Sequence, residues 1–412
     1  MNNIPLCDNQ GLIAFEDAII ALKQSAQAIT ETESCHIEQV LGRVLAQDIF
    51  APLDLPPFDV SAMDGFAVNS TQISMGERVN ISQRIAAGHK PTLPLEANTA
   101  ARIFTGASLP EGADSVILQE QCEYDQSSVQ LPNKISPGQN VRQKGCHLAQ
   151  KQLALSAGTR LSSAHIGLLA SMGISHIDVF RRLKVSLLTT GNELVEPGRA
   201  LVSGQIYNAN RYLLQSMLTS LGCEVNAIDV VEDELNKVRG VLQSSAARSD
   251  LVMSSGGVSV GDEDHVRSAL ESLGQLSFWR IRIKPGKPLA YGKINNTAFI
   301  GLPGNPVSSF VTFCLFARPL ISALQGRLTY DVLGYPVIAG FERTKKDKRR
   351  EFMRVSIYNN EHGQMIAKPY ASQDSATLMS ASHTHGLLCV PENTFISSKT
   401  LLQFYPYNEL LG

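Results

Sequence analysis

The chain has 412 residues, of which 43% are hydrophobic, and its formal net charge is -2. A chain of this length exceeds a single core, so we expect about two to four domains, and the near-neutral charge argues against a nucleic-acid partner. The mean hydropathy is -0.03, no apolar stretch is as long as a membrane span, and residues 1–10 show no signal-peptide pattern. These features predict a soluble protein without a membrane partner.

Cysteine usage gives a further expectation about location. The seven cysteines are odd in number and widely spaced, and no Cys-x-x-Cys occurs. This pattern favours free thiols in a reducing cytoplasm over a disulfide framework or a structural zinc site.

The first part of the chain alternates between helical and β-like patterns. Phe15, Ala18, Ile19 and Leu22 have helical spacing, and the apolar residues of 37–45 repeat it. Between these segments and a later helical stretch that ends at Gly173, short β-like runs alternate with prolines. We therefore predict an N-terminal helix within 1–31 that packs on an α/β domain, a linking helical domain from 32–50 and 150–181, and an inserted β domain at 51–149.

The second part of the chain alternates strands and helices before it becomes β-like again. Predicted strands at 185–189, 225–231, 251–253 and 297–302 are separated by helical segments. This alternation predicts a doubly wound parallel sheet at 182–329, in an α/β plus β multidomain chain. Short β-like runs after Tyr330 predict a C-terminal β domain at 330–412.

Loop motifs follow three of the predicted parallel strands. They are the segments 190–193 (TGNE), 254–257 (SSGG) and 303–306 (PGNP). Because ligands of such sheets bind at the carboxyl ends of the strands, we expect these three loops to form one site.

The segment 250–265 combines glycines with acids. Gly256 and Gly257 allow backbone N–H groups to approach an anion closely, and the acids at 262–264 need a divalent cation or a lysine between them and that anion. With Glu193 opposite, they predict a Mg²⁺ site beside phosphate.

Two neighbouring motifs have both a structural and a functional interpretation. Lys284 and Lys287 stand in a Pro-Gly turn after Arg280, which favours a phosphate clamp over ordinary solvated lysines. Asn305 and Pro306 suit a capped helix start, and the same helix N-terminus is equally suited to bind an anion.

Two motifs lie in the inserted β domain. Asp64 precedes a glycine and is interpreted either as part of a hairpin turn or as an acid that reaches a neighbouring site; Thr105 is a hydroxyl at a strand end.

Taken in order, six stretches resemble the molybdopterin molybdenumtransferase family, the MoeA-type molybdenum insertases. The stretches are 57–68 (PFDVSAMDGFAV), 103–107 (IFTGA), 190–194 (TGNEL), 254–261 (SSGGVSVG), 283–288 (IKPGKP) and 301–306 (GLPGNP). The resemblance covers nearly the whole chain and implies an elongated four-domain homodimer with a molybdopterin-binding α/β domain.

The resemblance implies a transferase that inserts molybdenum from molybdate into adenylylated molybdopterin and releases AMP in a Mg²⁺-dependent reaction. It implies Mg²⁺ ligands at Glu193 and Asp264 and a site shared between subunits, with transient contacts to other enzymes of the same cofactor. The implied catalytic residues are Asp64, Thr105, Glu193, Asp264, Lys284 and Lys287. The implied substrate-binding residues are Ser254, Gly256, Gly257, Ser259, Arg280, Pro303, Gly304, Asn305, Pro306, Asp233 and Ser375.

The sequence departs from the family pattern at Cys146 and His147, where acids are common, and also at Asn192 and Arg280. Two other functions compete with the insertase. One is an enzyme that adenylylates molybdopterin with ATP, for which the α/β domain alone would suffice. The other is a non-catalytic scaffold, to which the missing acids point.

Overall fold

In this computed structural model the structure is described for residues 12–232, 234–258, 265–328 and 332–411. The central α/β unit contains a six-stranded sheet. In spatial order its strands are Glu224–Val231, Lys184–Thr190, Leu251–Ser255, Thr297–Leu302, Pro288–Ile294 and Gly274–Arg280. The first four strands are parallel, and the last two are antiparallel additions at one edge that the sequence did not predict.

Alternating residues of each central strand enter two different hydrophobic cores. Leu187 and Met253 belong to one core, whereas Leu188 and Val252 belong to the other. Helices cover both faces, with bounds Ala209–Ser220, Leu235–Arg248, His265–Leu273 and Pro306–Leu324. A strand that is buried on both faces must be apolar throughout, so the Val- and Leu-rich runs form these strands. The predicted doubly wound sheet is confirmed.

By length and composition, the helix Pro306–Leu324 is long and apolar enough to cross a membrane. Of its most apolar stretch of 18 residues, 89% is buried inside the protein. It contains a π-helical segment, Phe313–Ala317, between the α-helical segments Pro306–Thr312 and Arg318–Leu324. The expectation that no stretch approaches spanning length was therefore wrong for this helix, which packs as a core helix because its side chains meet those of the sheet.

The predicted N-terminal helix is present as Phe15–Ser25 and buries Ala18 and Leu22 against the α/β unit. Its Phe15 ring contacts Phe316 of the core helix and Phe352 of the C-terminal unit, both at 5.4 Å between ring centroids. This helix therefore joins two units of the chain.

The linking unit contains one α-helix, Ser163–Ser171, beside a 3₁₀ turn and short strand pairs. Its elements are Thr32–His36 paired with His176–Phe180, Ile49–Phe50 paired with Leu153–Leu155, and the 3₁₀ turn Ile37–Gln39. The helix predicted over 37–45 is wrong, because Gly42 adopts φ +74 and Val44 and Leu45 form β-bridges instead. The unit is thus less helical than predicted, and its limits remain a prediction.

The inserted unit is built on a six-stranded mixed sheet. In spatial order its strands are Ser115–Leu118, Gly65–Val68, Thr99–Ile103, Arg78–Ile85, Ser128–Gln130 and Glu123–Tyr124. The pair Val60–Ser61 with Val141–Arg142 and the 3₁₀ turn Gln119–Gln121 complete it.

The C-terminal unit is a closed ring of strands, because Gly386–Val390 pairs back onto Arg350–Asn359. Around the ring the strands are Arg350–Asn359, Met365–Pro369, Tyr335–Ala339, Leu401–Pro406 and Gly386–Val390. The strand Ile283–Lys284 of the α/β unit adds to the ring, and the short helices Met379–Ser382 and Tyr407–Leu411 flank it. A β fold for this region is confirmed.

Candidate functional site

A cavity of about 620 Å³, the strand-end cavity, lies where the three predicted loops meet. It is lined by residues 189–191, 193, 194, 206–210, 255–258, 288, 303–306, 308 and 376. The structure thus brings together the loops that follow Lys184–Thr190, Leu251–Ser255 and Thr297–Leu302, as the parallel topology predicts.

Glycine is required in the second of these loops. Gly256 has φ +89, and a Cβ there would lie 2.8 Å from the carbonyl oxygen of Thr190. Gly257 has φ +65, and a Cβ there would lie 2.4 Å from Cγ2 of Val266. The two loops can approach each other this closely only because these positions carry no side chain.

Asn210, which the sequence motifs did not reveal, connects two of the cavity loops. Its Nδ2 donates hydrogen bonds to Oγ of Ser255 at 2.8 Å and to the carbonyl oxygen of Gly304 at 2.7 Å. Its Oδ1 is buried and has no hydrogen-bond partner among the described residues. A buried, unsatisfied acceptor in a cavity wall is available to a ligand donor.

Asn208 orients the helix on which Asn210 stands. Its Oδ1 accepts from the N–H of Arg211 at 3.2 Å, and its Nδ2 donates to Oγ1 of Thr189 at 3.0 Å. The sequence signal was an asparagine that directly precedes the helix Ala209–Ser220, a typical N-cap.

The helix start at Pro306 differs from the prediction in one respect. Pro306 occupies the first turn as predicted, but Asn305 makes no side-chain cap. Instead, Nδ2 of Asn305 donates to Oγ of Ser375 at 3.0 Å, and the Ser375 carbonyl oxygen accepts from the N–H of Val307 at 2.9 Å. The C-terminal region therefore holds this cavity loop in place.

Two serine hydroxyls near the cavity are buried without partners among the described residues. They belong to Ser254, which is 0% exposed, and to Ser309, which is also 0% exposed. Ser254 itself does not line the cavity; its Oγ lies 3.1 Å from where a Cβ of Gly301 would be. Ser255 occupies the wall in its place.

Glu193 contributes the only carboxylate among the described residues of the lining. Its side chain folds back over Gly191, where a Cβ would lie 2.7 Å from Oε2. Glu193 is exposed, so the carboxylate is accessible from the cavity. The other predicted site residues Asp233, Ser259 and Asp264 lie outside the described residues.

No residue of the predicted cation clamp, Arg280, Lys284 or Lys287, is in the described lining of the cavity. Lys284 pairs with the buried Glu351 of the C-terminal ring at 2.9 Å, and Arg343 pairs with the other oxygen of that carboxylate. Lys284 is therefore engaged at the junction of two units and does not line the cavity. Arg280 and Lys287 adjoin Pro288, which does line it.

Asp64 and Thr105 lie together in the inserted unit. Oδ1 of Asp64 accepts hydrogen bonds from the N–H of Thr105 at 2.8 Å and from its hydroxyl at 2.7 Å. These bonds, with the charge of Arg102, hold the pKa of the Asp64 carboxyl below its usual range. The described lining of the strand-end cavity includes no residue of the inserted unit.

Comparison with known proteins identifies three regions of the chain. Residues 13–173 match the MoeA N-terminal region (domain I and II), residues 186–323 a probable molybdopterin binding domain, and residues 336–406 the MoeA C-terminal region (domain IV).

Relatives match nearly the full length of the chain. A molybdopterin molybdenumtransferase of Haemophilus influenzae is 36% identical over 93% of this chain and 96% of its own length, and that of Nostoc is 33% identical over 89% and 87%. The crystal structure of a molybdopterin biosynthesis MoeA protein of Pyrococcus horikoshii is similar, with a TM-score of 0.76 and 30% identity over 96% of this chain and 99% of that one. The chain therefore belongs to the molybdopterin molybdenumtransferase (MoeA) family, a family of transferases in molybdenum cofactor biosynthesis.

Proposed function

We propose that this protein inserts molybdenum from molybdate into adenylylated molybdopterin at the strand-end cavity and releases AMP. The observation that carries the proposal is the convergence of a glycine loop, an accessible carboxylate and a helix start on one cavity. Family membership supports the same reaction class.

The cavity wall suits tetrahedral anions. Molybdate and phosphate oxygens accept hydrogen bonds, and we propose that the N–H groups of Gly257 and Val258 in the cavity wall donate to them. The N–H of Gly256 already donates to the carbonyl oxygen of Leu302 at 3.2 Å. The hydroxyl-bearing Ser308 stands in the first turn of the helix that begins at Pro306, where the helix dipole favours negative charge. We assign Pro303, Gly304 and Asn305 to the loop that shapes this anion site, and Ser375 to the support of that loop through its hydrogen bond with Asn305.

The residues present fit a Mg²⁺ ion bound together with substrate phosphates. Mg²⁺ takes one or two carboxylates and completes its shell with waters and phosphate oxygens, and Glu193 supplies one carboxylate. We propose Asp264 as the second ligand. Bound there, Mg²⁺ would neutralise charge on the phosphate oxygens. Arg280 and Lys287 would add positive charge from the Pro288 side.

We further propose that the protein is a homodimer and that Asp64 and Thr105 of one subunit complete the cavity of the other. Their support is that Thr105 fixes the Asp64 carboxylate with two hydrogen bonds and that neither residue belongs to the described lining of the chain's own cavity. We expect a cytoplasmic location and transient contacts with other enzymes of molybdenum cofactor synthesis.

The decisive experiment measures AMP release by purified protein from adenylylated molybdopterin, with and without molybdate and Mg²⁺. We expect release that depends on both and falls at least about tenfold in Glu193→Gln, because an amide is a poor Mg²⁺ ligand. Glu196→Gln is the matched control, since Glu196 is in the same loop but pairs with Arg211 at 2.9 Å and does not line the cavity.

Two results would contradict the proposal. AMP release that does not depend on molybdate would exclude molybdenum insertion as the reaction. ATP consumption with molybdopterin as the acceptor would establish the adenylylating enzyme instead.

A further inference from the structure

A second cavity, of about 530 Å³, lies between the linking unit and the α/β unit. We call it the arginine cavity; its lining includes Arg160, Arg182, Ser162, Ser163, Ser220 and Gly222. It contains no carboxylate among its described lining residues. Arg160 is half-buried and Arg182 is exposed. A half-buried guanidinium is normally paired with a carboxylate, and Arg160 has no such partner in this cavity among the described residues.

Neither arginine is well satisfied by the protein. Nη2 of Arg160 reaches the carbonyl oxygen of Ser220 only at 3.4 Å, and its Nε is buried without a partner among the described residues. Nη1 of Arg182 reaches the carbonyl oxygen of Gly222 at 3.3 Å. These are long bonds for N–H donors, and each guanidinium has five N–H groups to satisfy.

A third arginine, Arg327, interacts electrostatically with Arg160. Arg327 is 8% exposed, and burial together with the charges of Arg160 and Arg318 lowers its pKa to about 10. The nearby carboxylate of Asp250 is already bound by Arg181 through hydrogen bonds of 2.6 and 2.8 Å. The cavity lining therefore offers Arg160 and Arg182 no carboxylate among the described residues, and a bound anion would relieve the repulsion between Arg160 and Arg327.

The backbone around the arginine cavity adds donors and room. Ser163 begins the helix Ser163–Ser171, and Ser162 and His165 form a capping box that engages the N–H groups of those two residues. The N–H groups of Ser163 and Ala164 take no part in that box. Gly42 and Gly222, with φ +74 and +79, bring the chain beside the guanidinium groups: a Cβ at Gly42 would lie 3.6 Å from Nη2 of Arg160. Two planar guanidinium groups beside a helix N-terminus can donate hydrogen bonds to the oxygens of a phosphate group.

From this arrangement we propose that the arginine cavity binds a phosphate group, either free inorganic phosphate or the phosphate of a nucleotide. The site is distinct from the strand-end cavity. The two cavities lie at opposite ends of the helix Ala209–Ser220, which at 12 residues is ~18 Å long.

The test is isothermal titration of the full-length protein with inorganic phosphate at constant ionic strength, repeated with AMP. Wild type is compared with the double variant Arg160→Met and Arg182→Met, and with Arg239→Met as a control for loss of an exposed positive charge. We expect one phosphate-binding component to weaken by roughly tenfold or more in the double variant and to persist in the control. Binding at the strand-end cavity remains in all three proteins.

Ser163→Glu provides a second test that leaves both arginines in place. It places a carboxylate at the cavity, so we expect the same binding component to disappear while the fold is kept. If AMP binding weakens when the two arginines are replaced, the ligand is a nucleotide phosphate. If only the binding of inorganic phosphate weakens, the ligand is the free anion. Titrations that are identical in wild type, the double variant and Ser163→Glu, or a loss that also occurs in Arg239→Met, would overturn the proposal. AMP release, measured separately, tests the insertase function and not this site.

Discussion

At the scale of single residues, the strand-end cavity depends on side chains that tie loops together. Asn210 donates to Ser255 and to the Gly304 carbonyl oxygen from one amide nitrogen. It thereby fixes the distance between the glycine loop and the loop before Pro306. This role could not be predicted from the sequence, because the partners of Asn210 lie 45 and 94 residues away along the chain.

We predict that Asn210→Ala lowers the free energy of unfolding by about 1–2 kcal/mol, because the buried Ser255 hydroxyl and the exposed Gly304 carbonyl oxygen lose their donor. It should also weaken binding of AMP at the strand-end cavity. Urea denaturation and AMP titration measure the two effects. Asn305→Ala, which removes one exposed bond to Ser375, serves as the control for the stability measurement alone, because Asn305 also lines the cavity, and should cost less than about 1 kcal/mol. Equal losses in both variants would contradict this role of Asn210.

A second prediction at this scale concerns pH. The bonds from Thr105 help to hold the pKa of Asp64 below its usual range, so Asp64 stays ionised to lower pH than a free carboxyl. Thr105→Val removes the hydroxyl donor and should raise that pKa, so the acid limb of AMP release should move to higher pH. Thr105→Ser keeps the hydroxyl and should leave the limb in place. An unchanged limb in Thr105→Val would show that Asp64 does not control it.

At the scale of elements, strands and helices that are repeated in a regular pattern were predicted well. The predicted strand 297–302 is observed as Thr297–Leu302, and the helix predicted from about Pro306 to Leu324 is observed over the same residues. The helix predicted over 37–45 failed because the same apolar residues are buried through β-bridges around a left-handed Gly42. Burial was predicted correctly there, but the backbone conformation was not.

The glycine loop gives a prediction at this scale. Gly256→Ala places a Cβ 2.8 Å from the Thr190 carbonyl oxygen in a backbone at φ +89. Gly198→Ala has similar backbone strain at φ +94 but meets nothing within 4 Å. We expect Gly198→Ala to cost about 1 kcal/mol and Gly256→Ala clearly more, with loss of AMP binding only in the latter. Denaturation midpoints and AMP titration check this; equal costs would show that the loop can shift without penalty.

At the scale of the whole molecule, ion pairs and aromatic contacts join units that lie apart in the sequence. Arg181 binds Asp250 at 2.6 and 2.8 Å and also pairs with Glu31, and Lys284 and Arg343 converge on Glu351. Arg181 and Lys284, the second of which was predicted to bind phosphate, thus form ion pairs that join different units of the chain.

We predict that Asp250→Asn lowers the free energy of unfolding by about 2 kcal/mol at pH 7, because the bidentate bond to Arg181 loses its charge. Burial alone would raise the pKa of Asp250, but the bonds from Arg181 and from the N–H of Lys184 outweigh it and hold that pKa below its usual range. A lowered folded-state pKa contributes stability above the unfolded value of about 4, and this contribution is lost as pH falls through the folded value. The difference between wild type and variant should therefore shrink below about pH 4. A difference that is constant with pH would contradict this assignment.

The shared site gives a prediction that only the assembly can test. Asp64→Asn and Glu193→Gln each disable both sites of a homodimer. If each site combines Glu193 of one subunit with Asp64 of the other, a mixed dimer regains one intact site, so random mixing should restore about a quarter of the wild-type AMP release. Absence of any recovery, with mixed dimers verified by mass spectrometry, would show that each site lies within one chain.

The sequence by itself determined the alternation of strands and helices, the strand-end position of the loops at 190, 254 and 303, and the family, because these depend on local patterns of apolar residues and glycines. Only the tertiary structure decided which side chains reach the cavity. Lys284 is drawn away because a buried carboxylate, Glu351, needs a counter-charge, and Asn305 is turned towards Ser375. Asn210 lines the strand-end cavity, and Arg160 and Arg182 both line the arginine cavity. Partners that satisfy charges and hydrogen bonds come from distant parts of the chain, so their identity is set by packing and not by spacing along the sequence.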